Sequence, residues 1–445
     1  MKQVLVIGAG LSSAALVQYL QQAAQANGLW QITVADSNLE AAQKRADNHP
    51  HTHAIQLNAS DAYELEQIVM QHDVVLSLLP PDMHVPVAKA CIKYQKHLIT
   101  ASYVSDAMRH LHSDALKAGV LLLNEMGLDP GIDHMSAMKV IHELKNQGAQ
   151  IHTFKSYCGG LVAPEYDDNP WHYKFTWNPR NVVLAGKSTA SFKHQHQIKY
   201  IPPARIFKQI EAVEIDGLTY DGYPNRDSLG YIKPYGITEA HTVIRGTLRG
   251  SGYCDAWQLI VDLGLNDDQL MIEDADKLTY RSWLAAFIPD AHFDNLEEKL
   301  CTFLGISQSD VRYQKLKWLG LFNDRPIAVR NASSAQVLQL LLQQKWKLQP
   351  HELDMIVMQH QFGFELNGKM FLRKDNLVVK GTDSTYTAMA KTVGLPMGIA
   401  AKLLLEGSIS SRGVQLPLIS SIYTPVLNEL EANGIIFTHQ TTATT

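Results

Sequence analysis

Lys2-Gln-Val-Leu-Val-Ile-Gly-Ala-Gly-Leu-Ser-Ser13 stands at the head of the chain, and its reading decides the fold. A short apolar run, Lys2–Ile7, turns directly into glycines and then into a helical run reaching about Gln25. Such a run reads as a strand buried on both faces of a parallel sheet. Gly8 permits the tight strand-to-helix turn. Gly10 lets the backbone approach a pyrophosphate, which then rests against the positive end of the helix. The third fingerprint position is Ser13, small enough for helix to pack closely on sheet. Alone the pattern describes any tight strand–helix turn, but at the start of a βαβ unit it predicts a dinucleotide site.

The pattern continues downstream. Gln31–Ala35 reads as a second strand ending in Asp36, and 38–47 as a helix with Glu40 and Lys44 one turn apart. His72–Leu79 reads as a buried strand stopped by Pro80-Pro81, Val85–Tyr94 as a helix, and His97–Thr100 and Val120–Asn124 as strands. Strands alternating with helices predict an α/β fold, with an N-terminal Rossmann doubly wound parallel sheet over 1–130. Ligands in such sheets lie beyond the strand carboxyl ends. Gly8, Gly10, Leu11, Ser12, Leu79, Pro80, Thr100 and Ala101 are therefore the expected cofactor contacts. Asp36, with Ser37 beside it, is placed to accept hydrogen bonds from the adenosine ribose and to repel a 2′-phosphate, so the expected cofactor is NAD. Asp36 also suits a helix N-cap, and Arg45 is the nearest downstream arginine that could pair with the phosphate of NADP.

Beyond 130 the strands lengthen and their separations shorten. Ile151–Cys158, Ala212–Glu214, His241–Leu248 and Asp354–Glu365 read as strands, with Met370–Arg373 and Asn376–Lys380 as a hairpin turning at Lys374-Asp375. This predicts an α+β substrate domain with a mostly antiparallel sheet over 131–253 and 351–394. Ala256–Leu263, Ser282–Phe287, Leu296–Leu304 and Ser334–Lys345 carry apolar residues at helical spacing, giving an inserted helical subdomain at 254–350. Helices are expected at Ser384–Thr392, at Pro396–Glu406 with proline in its first turn, and at Thr424–Asn433; those at about 395–440 are expected to pack back on the first domain.

The 445 residues suggest two to three domains. A net charge of −5 argues against a nucleic-acid surface. No uninterrupted apolar run reaches the roughly 18 residues that span a bilayer; Val393–Leu405 is broken by Pro396 and Lys402. Cys91, Cys158, Cys254 and Cys301 show neither zinc nor disulfide spacing. The expectation is a soluble cytoplasmic protein without a membrane or nucleic-acid partner. His49-Pro50-His51-Thr52-His53 and His194-Gln195-His196 read as solvated loops, and no metal site is expected. In Asp129-Pro130-Gly131-Ile132-Asp133-His134, Asp129 reads as a substrate contact and Asp133 and His134 as structural. Cys158 precedes Gly159-Gly160, where the backbone can make room for a ligand. Arg226, Arg245 and Arg249 offer guanidinium forks for carboxylates.

Thr100-Ala-Ser-Tyr-Val104, Gly127-Leu-Asp-Pro-Gly-Ile-Asp-His134, Ser156-Tyr-Cys-Gly-Gly-Leu161, Ala163-Pro-Glu165, Tyr173-Lys-Phe175, Tyr223-Pro-Asn-Arg-Asp-Ser228 and Arg245-Gly-Thr-Leu-Arg249 occur in this order. Together they resemble the glutamate-forming saccharopine dehydrogenases. Val162, Trp171-His172 and Ser13 depart from that family's pattern, affecting loop shape more than chemistry. The resemblance implies NAD(P)+-dependent cleavage of saccharopine to L-glutamate and 2-aminoadipate 6-semialdehyde. It implies substrate contacts at Ser102, Tyr103, Asp129, Arg226, Thr247 and Arg249, with Trp177 at the cofactor. Asp129, Cys158 and Tyr103 are the candidate proton-transfer groups, and bound water remains open beside them. Asp36 departs from the biosynthetic fungal pattern, which has a basic residue near that position. The expected activity is therefore NAD-dependent and lysine-degrading, with a homodimer as the expected assembly. The alternatives are an NADP-dependent saccharopine reductase in lysine biosynthesis, a carboxyspermidine-type reductase, and a non-catalytic NAD-binding protein.

Overall fold

The computed structural model describes residues 1–28, 30–292 and 294–444. Its elements, numbered along the chain, gather into two compact units. One is Met1–Gln150 with Leu377–Thr438; the other is Ile151–Asn376 with His439–Thr445.

In the first unit the apolar runs form a parallel sheet of β1 (Lys2–Ile7), β2 (Trp30–Asp36), β3 (Thr52–Gln56), β4 (Val74–Ser77), β5 (His97–Thr100), β6 (Leu121–Leu123) and β17 (Gly413–Gln415). Their order is β17-β6-β5-β4-β1-β2-β3. Val4 lies between Ile32 and Val74, and all three are buried because helices cover both sheet faces. Strand order reverses between β1 and β4, so the carboxyl ends of those two strands flank the crevice where such sheets take ligands. The connecting helices are α1 (Ser13–Asn27), α2 (Leu39–Ala46), α3 (Ala62–Met70), α4 (His84–Lys93), α5 (Asp106–Arg109) and α6 (His112–Ala118). After them come α7 (Ile132–Asn146) and, much later, α14 (Ala388–Leu405) and α15 (Ser420–Ala432).

This unit runs past residue 130, because α7 packs within it; His142 Nδ1 lies 2.8 Å from the Tyr423 hydroxyl on α15. The sequence reading also needs correction at two elements. Thr52 and His53 belong to edge strand β3, not a loop; pairing with β2 uses only backbone groups and tolerates polar side chains. The helices expected at Ser384–Thr392 and Pro396–Glu406 are one continuous helix, α14, with Pro396 inside it. An interior proline costs about 3 kcal/mol, which is outweighed here by burial of most of the helix. Small residues let α14 lie close to α1: a Cβ on Gly394 would come 2.7 Å from the Leu16 backbone nitrogen. Although α14 has the length and apolarity of a membrane span, 72% of it is buried within the protein.

The second unit holds a nine-stranded mixed sheet. Its central order is β10 (Glu211–Ile215), β11 (Leu218–Pro224), β12 (Thr242–Gly250), β7 (Gln150–Val162), β15 (Asp354–Leu366), β16 (Lys369–Lys380) and β18 (Phe437–Thr444). The pair β8 (Ala190–His194) and β9 (Gln197–Ile201) branches from β12. Strands β10, β11 and β12 are antiparallel, while β12 runs parallel to β7. The helices are α8 (Pro179–Val183), α9 (Tyr253–Asp262), α10 (Tyr280–Ala285), α11 (Leu296–Leu304), α12 (Val311–Leu319) and α13 (Ser334–Lys345), with a small ladder of β13 (Met271–Ile272) and β14 (Ala332–Ser333).

The hairpin expected at Lys374-Asp375 is not a turn. Both residues lie within β16, and the chain reverses at Asn367-Gly368 instead. Those two residues have φ of 52° and 73°, the left-handed pair that a type I′ hairpin demands and that Asn-Gly supplies. Asp375 looks like a turn residue by type, but it is buried in the strand and bonded to the Arg373 guanidinium.

Candidate active site

At the carboxyl ends of β1 and β2 the loop is ordered by its own backbone and by Asp36. Gly8 N–H donates to the Ala35 carbonyl, and Asp36 Oδ2 accepts the Ala9 N–H at 2.7 Å. Asp36 Oδ1 takes the Asn38 N–H, so the carboxylate is anchored where a ribose would lie; Asn38, not Asp36, caps α2. The Ser37 hydroxyl sits against the same carboxylate. These residues fit a dinucleotide. A Cβ on Gly10 would meet nothing within 4 Å, leaving room over the loop. Ser12 makes no side-chain cap to α1, whose leading N–H groups can face a phosphate. Leu11 stands exposed at the tip of the turn. Arg45 reaches back from α2 and donates to the Gly10 carbonyl at 3.1 Å. Leu79 and Pro80 follow β4 on the other side of the switch point.

Thr100, Ala101, Ser102 and Tyr103 leave the end of β5 together. The Tyr103 hydroxyl donates to Asp129 Oδ1 at 2.8 Å, joining two of the expected catalytic residues. Thr100 is buried, and its hydroxyl accepts the Ser102 N–H. The segment bearing Asp129 is stitched to β5: Glu125 N–H donates to the Ser102 carbonyl and Met126 N–H to the Thr100 carbonyl. The Asp129–Pro130 peptide bond is cis.

Two arrangements here escaped the sequence reading. Glu125, at φ 60°, accepts the Val104 N–H and lies 2.7 Å from His134 Nε2, both side chains being fully buried. The neighbouring Asp133 carboxylate accepts the Gly131 N–H, so both residues expected to be structural are tied to their own segment. The second is His84, in the first turn of α4, where buried hydroxyls of Ser77 and Thr100 and the Ser102 hydroxyl converge on its ring. Burial pushes its pKa down to about 4. Nothing in its local sequence marks it, since its partners come from two other strands' ends.

In the second unit, β12 places Thr247 level with Cys158 on β7, and Arg249 follows two residues on. Cys158 is buried, and Thr247 accepts a hydrogen bond from Asn225 Nδ2 at 3.1 Å. Arg226 comes next after Asn225, exposed and with φ at 52°, an uncommon conformation for arginine. Arg245 is buried with its guanidinium 4.3 Å from the Tyr231 ring. Trp177 is half-buried in this unit, beside the Tyr173 hydroxyl.

Arg249 is the unusual group. Only 4% exposed, it lies 5.2 Å from the Tyr173 ring and 5.6 Å from the Tyr253 ring, within a cluster that includes Trp171, Trp257 and Trp346. One terminal nitrogen donates to its neighbour's carbonyl, Leu248, while Nε finds no partner among the described residues. Burial pushes the phenols of Tyr173, Tyr223 and Tyr253 up, so they remain neutral and supply no counter-charge. No carboxylate among the described residues pairs with it. A buried cation in such a place calls for an anionic ligand group. Among the described residues no cluster of His, Cys, Asp and Glu could hold a metal ion.

Comparison with known proteins adds the family context. Residues 4–123 match the saccharopine dehydrogenase NADP binding domain model, and residues 127–435 match the saccharopine dehydrogenase C-terminal domain model. The chain is 35% identical to saccharopine dehydrogenase [NADP(+), L-glutamate-forming] of Pyricularia oryzae, over 97% of this chain and 96% of that protein. It is 36% identical to the mitochondrial alpha-aminoadipic semialdehyde synthase of Rattus norvegicus over 99% of its own length, and spans about half (48%) of that relative. Apo saccharopine dehydrogenase (L-Glu forming) from Saccharomyces cerevisiae superposes with a TM-score of 0.90 at 34% identity, each chain fully covered.

Proposed function

The chain belongs to the saccharopine dehydrogenase family, and from that membership we propose that it catalyses saccharopine + NAD+ + H2O → L-glutamate + 2-aminoadipate 6-semialdehyde + NADH + H+. The observation that carries the substrate class is Arg249, a buried guanidinium without a carboxylate partner among the described residues. Saccharopine offers three carboxylates. A polyamine, the substrate of a carboxyspermidine-type enzyme, offers mainly positive charge, which Arg249 would repel. Arg226 and Thr247 are the further carboxylate contacts in this reading, with Ser102 serving from the end of β5.

When bound, the nicotinamide supplies the acceptor for the hydride that leaves the carbon beside the secondary amine. The protein orients that carbon and moves protons. Asp129, held by the Tyr103 hydroxyl, is the proton-transfer group: it takes the amine proton, then serves the water that adds to the imine carbon and the collapse of the carbinolamine.

The preference for NAD+ follows from Asp36, whose anchored carboxylate would meet a 2′-phosphate with repulsion. A second reading, NADP+ in a saccharopine reductase, is favoured by Arg45 at the Gly10 carbonyl and by the NADP-binding family model.

The test is nicotinamide absorbance during incubation of the purified chain with saccharopine, run separately with NAD+ and NADP+, with glutamate and lysine assayed as products. Turnover faster with NAD+ and release of glutamate is the expected result. Turnover with NADP+ alone would keep the reaction and overturn the Asp36 argument. No turnover with either, despite dinucleotide binding, would leave a non-catalytic NAD-binding protein.

A further inference from the structure

His84 sits outside the residues assigned so far to substrate or cofactor, yet it has a defined place in the site. Its ring is buried at the start of α4 between the ends of β4 and β5. Nδ1 lies 3.0 Å from the Ser77 hydroxyl, and Nε2 lies 2.8 Å from the Ser102 hydroxyl and 3.1 Å from that of Thr100. Ser102 is otherwise fixed by its backbone: its carbonyl accepts the Glu125 N–H, and its own N–H donates to Thr100. What remains to be set is the direction of its hydroxyl.

The proton on the imidazole decides that direction, and Ser77 decides the proton. The Ser77 side chain is wholly buried and meets only His84 among the described residues. A buried hydroxyl hydrogen needs an acceptor. Ser77 finds one only at Nδ1, and Thr100, also buried and 3.4 Å from Nδ1, can share it, so an unprotonated Nδ1 serves both hydroxyls while a protonated one leaves Ser77 without an acceptor. A neutral ring then carries its proton on Nε2, and Nε2–H donates to the Ser102 oxygen. The Ser102 O–H is left to point away from His84 as a donor. The opposite tautomer would consume the Ser102 hydrogen and present only lone pairs, which repel a carboxylate.

We propose that His84 is a positioning residue which, through the Ser77–His84–Ser102 chain, sets the Ser102 hydroxyl as a hydrogen-bond donor to a substrate carboxylate. The proposal rests on the reading of Ser102 as a saccharopine contact. It adds a preference: with the O–H hydrogen free of His84, Ser102 can donate to a carboxylate oxygen at that point.

Two measurements on the whole chain test it. In the first, nitrogen NMR of 15N-histidine-labelled protein, with His84→Gln used to assign the signal, should show Nε2 protonated, Nδ1 unprotonated and no titration between pH 5 and pH 9. A proton on Nδ1, or titration at an ordinary histidine pKa, overturns the proposal. The second is steady-state kinetics of Ser102→Ala, His84→Leu and the double variant. His84→Leu should raise the KM for saccharopine about 10-fold, with kcat and the KM for dinucleotide nearly unchanged, as expected for loss of a contact made equally in ground and transition states. His84→Gln, whose amide N–H can replace Nε2–H, should recover most of that loss. The double variant should be no worse than Ser102→Ala, because a residue acting only through Ser102 has nothing further to lose. Additive effects, or a fall in kcat alone, overturn the positioning role while leaving the reaction intact. Absence of turnover by the unsubstituted chain overturns the functional reading and, with it, the role given to Ser102.

Discussion

Arg249 takes a positive charge into an interior of tyrosine and tryptophan rings, with no carboxylate among the described residues to offset that desolvation. Replacing even a paired buried ion by well-packed apolar side chains is often neutral or stabilising by about 1–4 kcal/mol, and an unpaired charge has less attraction to lose. Arg249→Met should therefore raise the calorimetric Tm while raising the KM for saccharopine by more than about 100-fold, the scale of a lost charge-assisted bidentate contact. A variant that loses both stability and binding would show that the guanidinium serves packing instead. His84 gives a second residue-level prediction, in pH. Its folded pKa is depressed from 6.5 to about 4 by burial. As pH falls from 6.5 towards 4 the unfolded chain takes up a proton that the folded chain resists, so this contribution is whole above 6.5 and lost through that window. The shift corresponds to roughly 3 kcal/mol. His72 and His97 are lowered by burial in the same sense. Urea midpoints between pH 4 and pH 8 should show the decline, and His84→Gln should flatten part of it.

Among the elements, α14 shows how a distant helix supports the glycine turn. A Cβ on Gly394 would come 2.7 Å from the Leu16 nitrogen and 3.1 Å from the Ser12 carbonyl, both at the start of α1. Gly394→Ala should cost about 1–3 kcal/mol of stability, the usual range for overpacking, and should also weaken dinucleotide binding, read by fluorescence titration. Unchanged binding would show that the start of α1 absorbs the strain elsewhere. At the Asn367-Gly368 turn, Gly368→Val forces a β-branched side chain to φ 73° and should lower Tm without changing the KM for either substrate. These elements also show what the sequence makes legible. The Gly8–Ser13 turn and its flanking strand could be read because the signal is local: an apolar run, then glycines, then a helical period. Pro396 misled because a proline usually opens a helix, and only burial against α1 lets it sit inside one. Asp375 misled because its type suits a turn, while Arg373 on the same strand supplies the bond that keeps it buried. His84 and Glu125 were illegible for the same kind of reason: their meaning lies in Ser77, Ser102 and His134, brought near by the sheet and not by the sequence.

For the whole molecule, the order of segments matters as much as their shapes. The first unit needs residues 377–438, which supply α14, α15 and the edge strand β17. Residues 1–150 alone would leave exposed the α1 surface that α14 covers, and should fail to give a cooperative unfolding transition. Joining 1–150 to 377–438 through a flexible Gly-Ser linker should restore both the transition and dinucleotide binding. A cooperative fold in the short fragment would show that the C-terminal segment is dispensable to this unit.

The threading of α14 against α1 also has a consequence for synthesis. On the ribosome the N-terminal strands emerge first, yet the helix that covers α1 emerges only after the entire main segment of the other unit. Throughout that interval the nascent chain carries an unfinished nucleotide fold with apolar helix surface open to solvent or to chaperones. A premature stop codon even near residue 380 would thus damage the first unit, whose own sheet was nearly all translated long before.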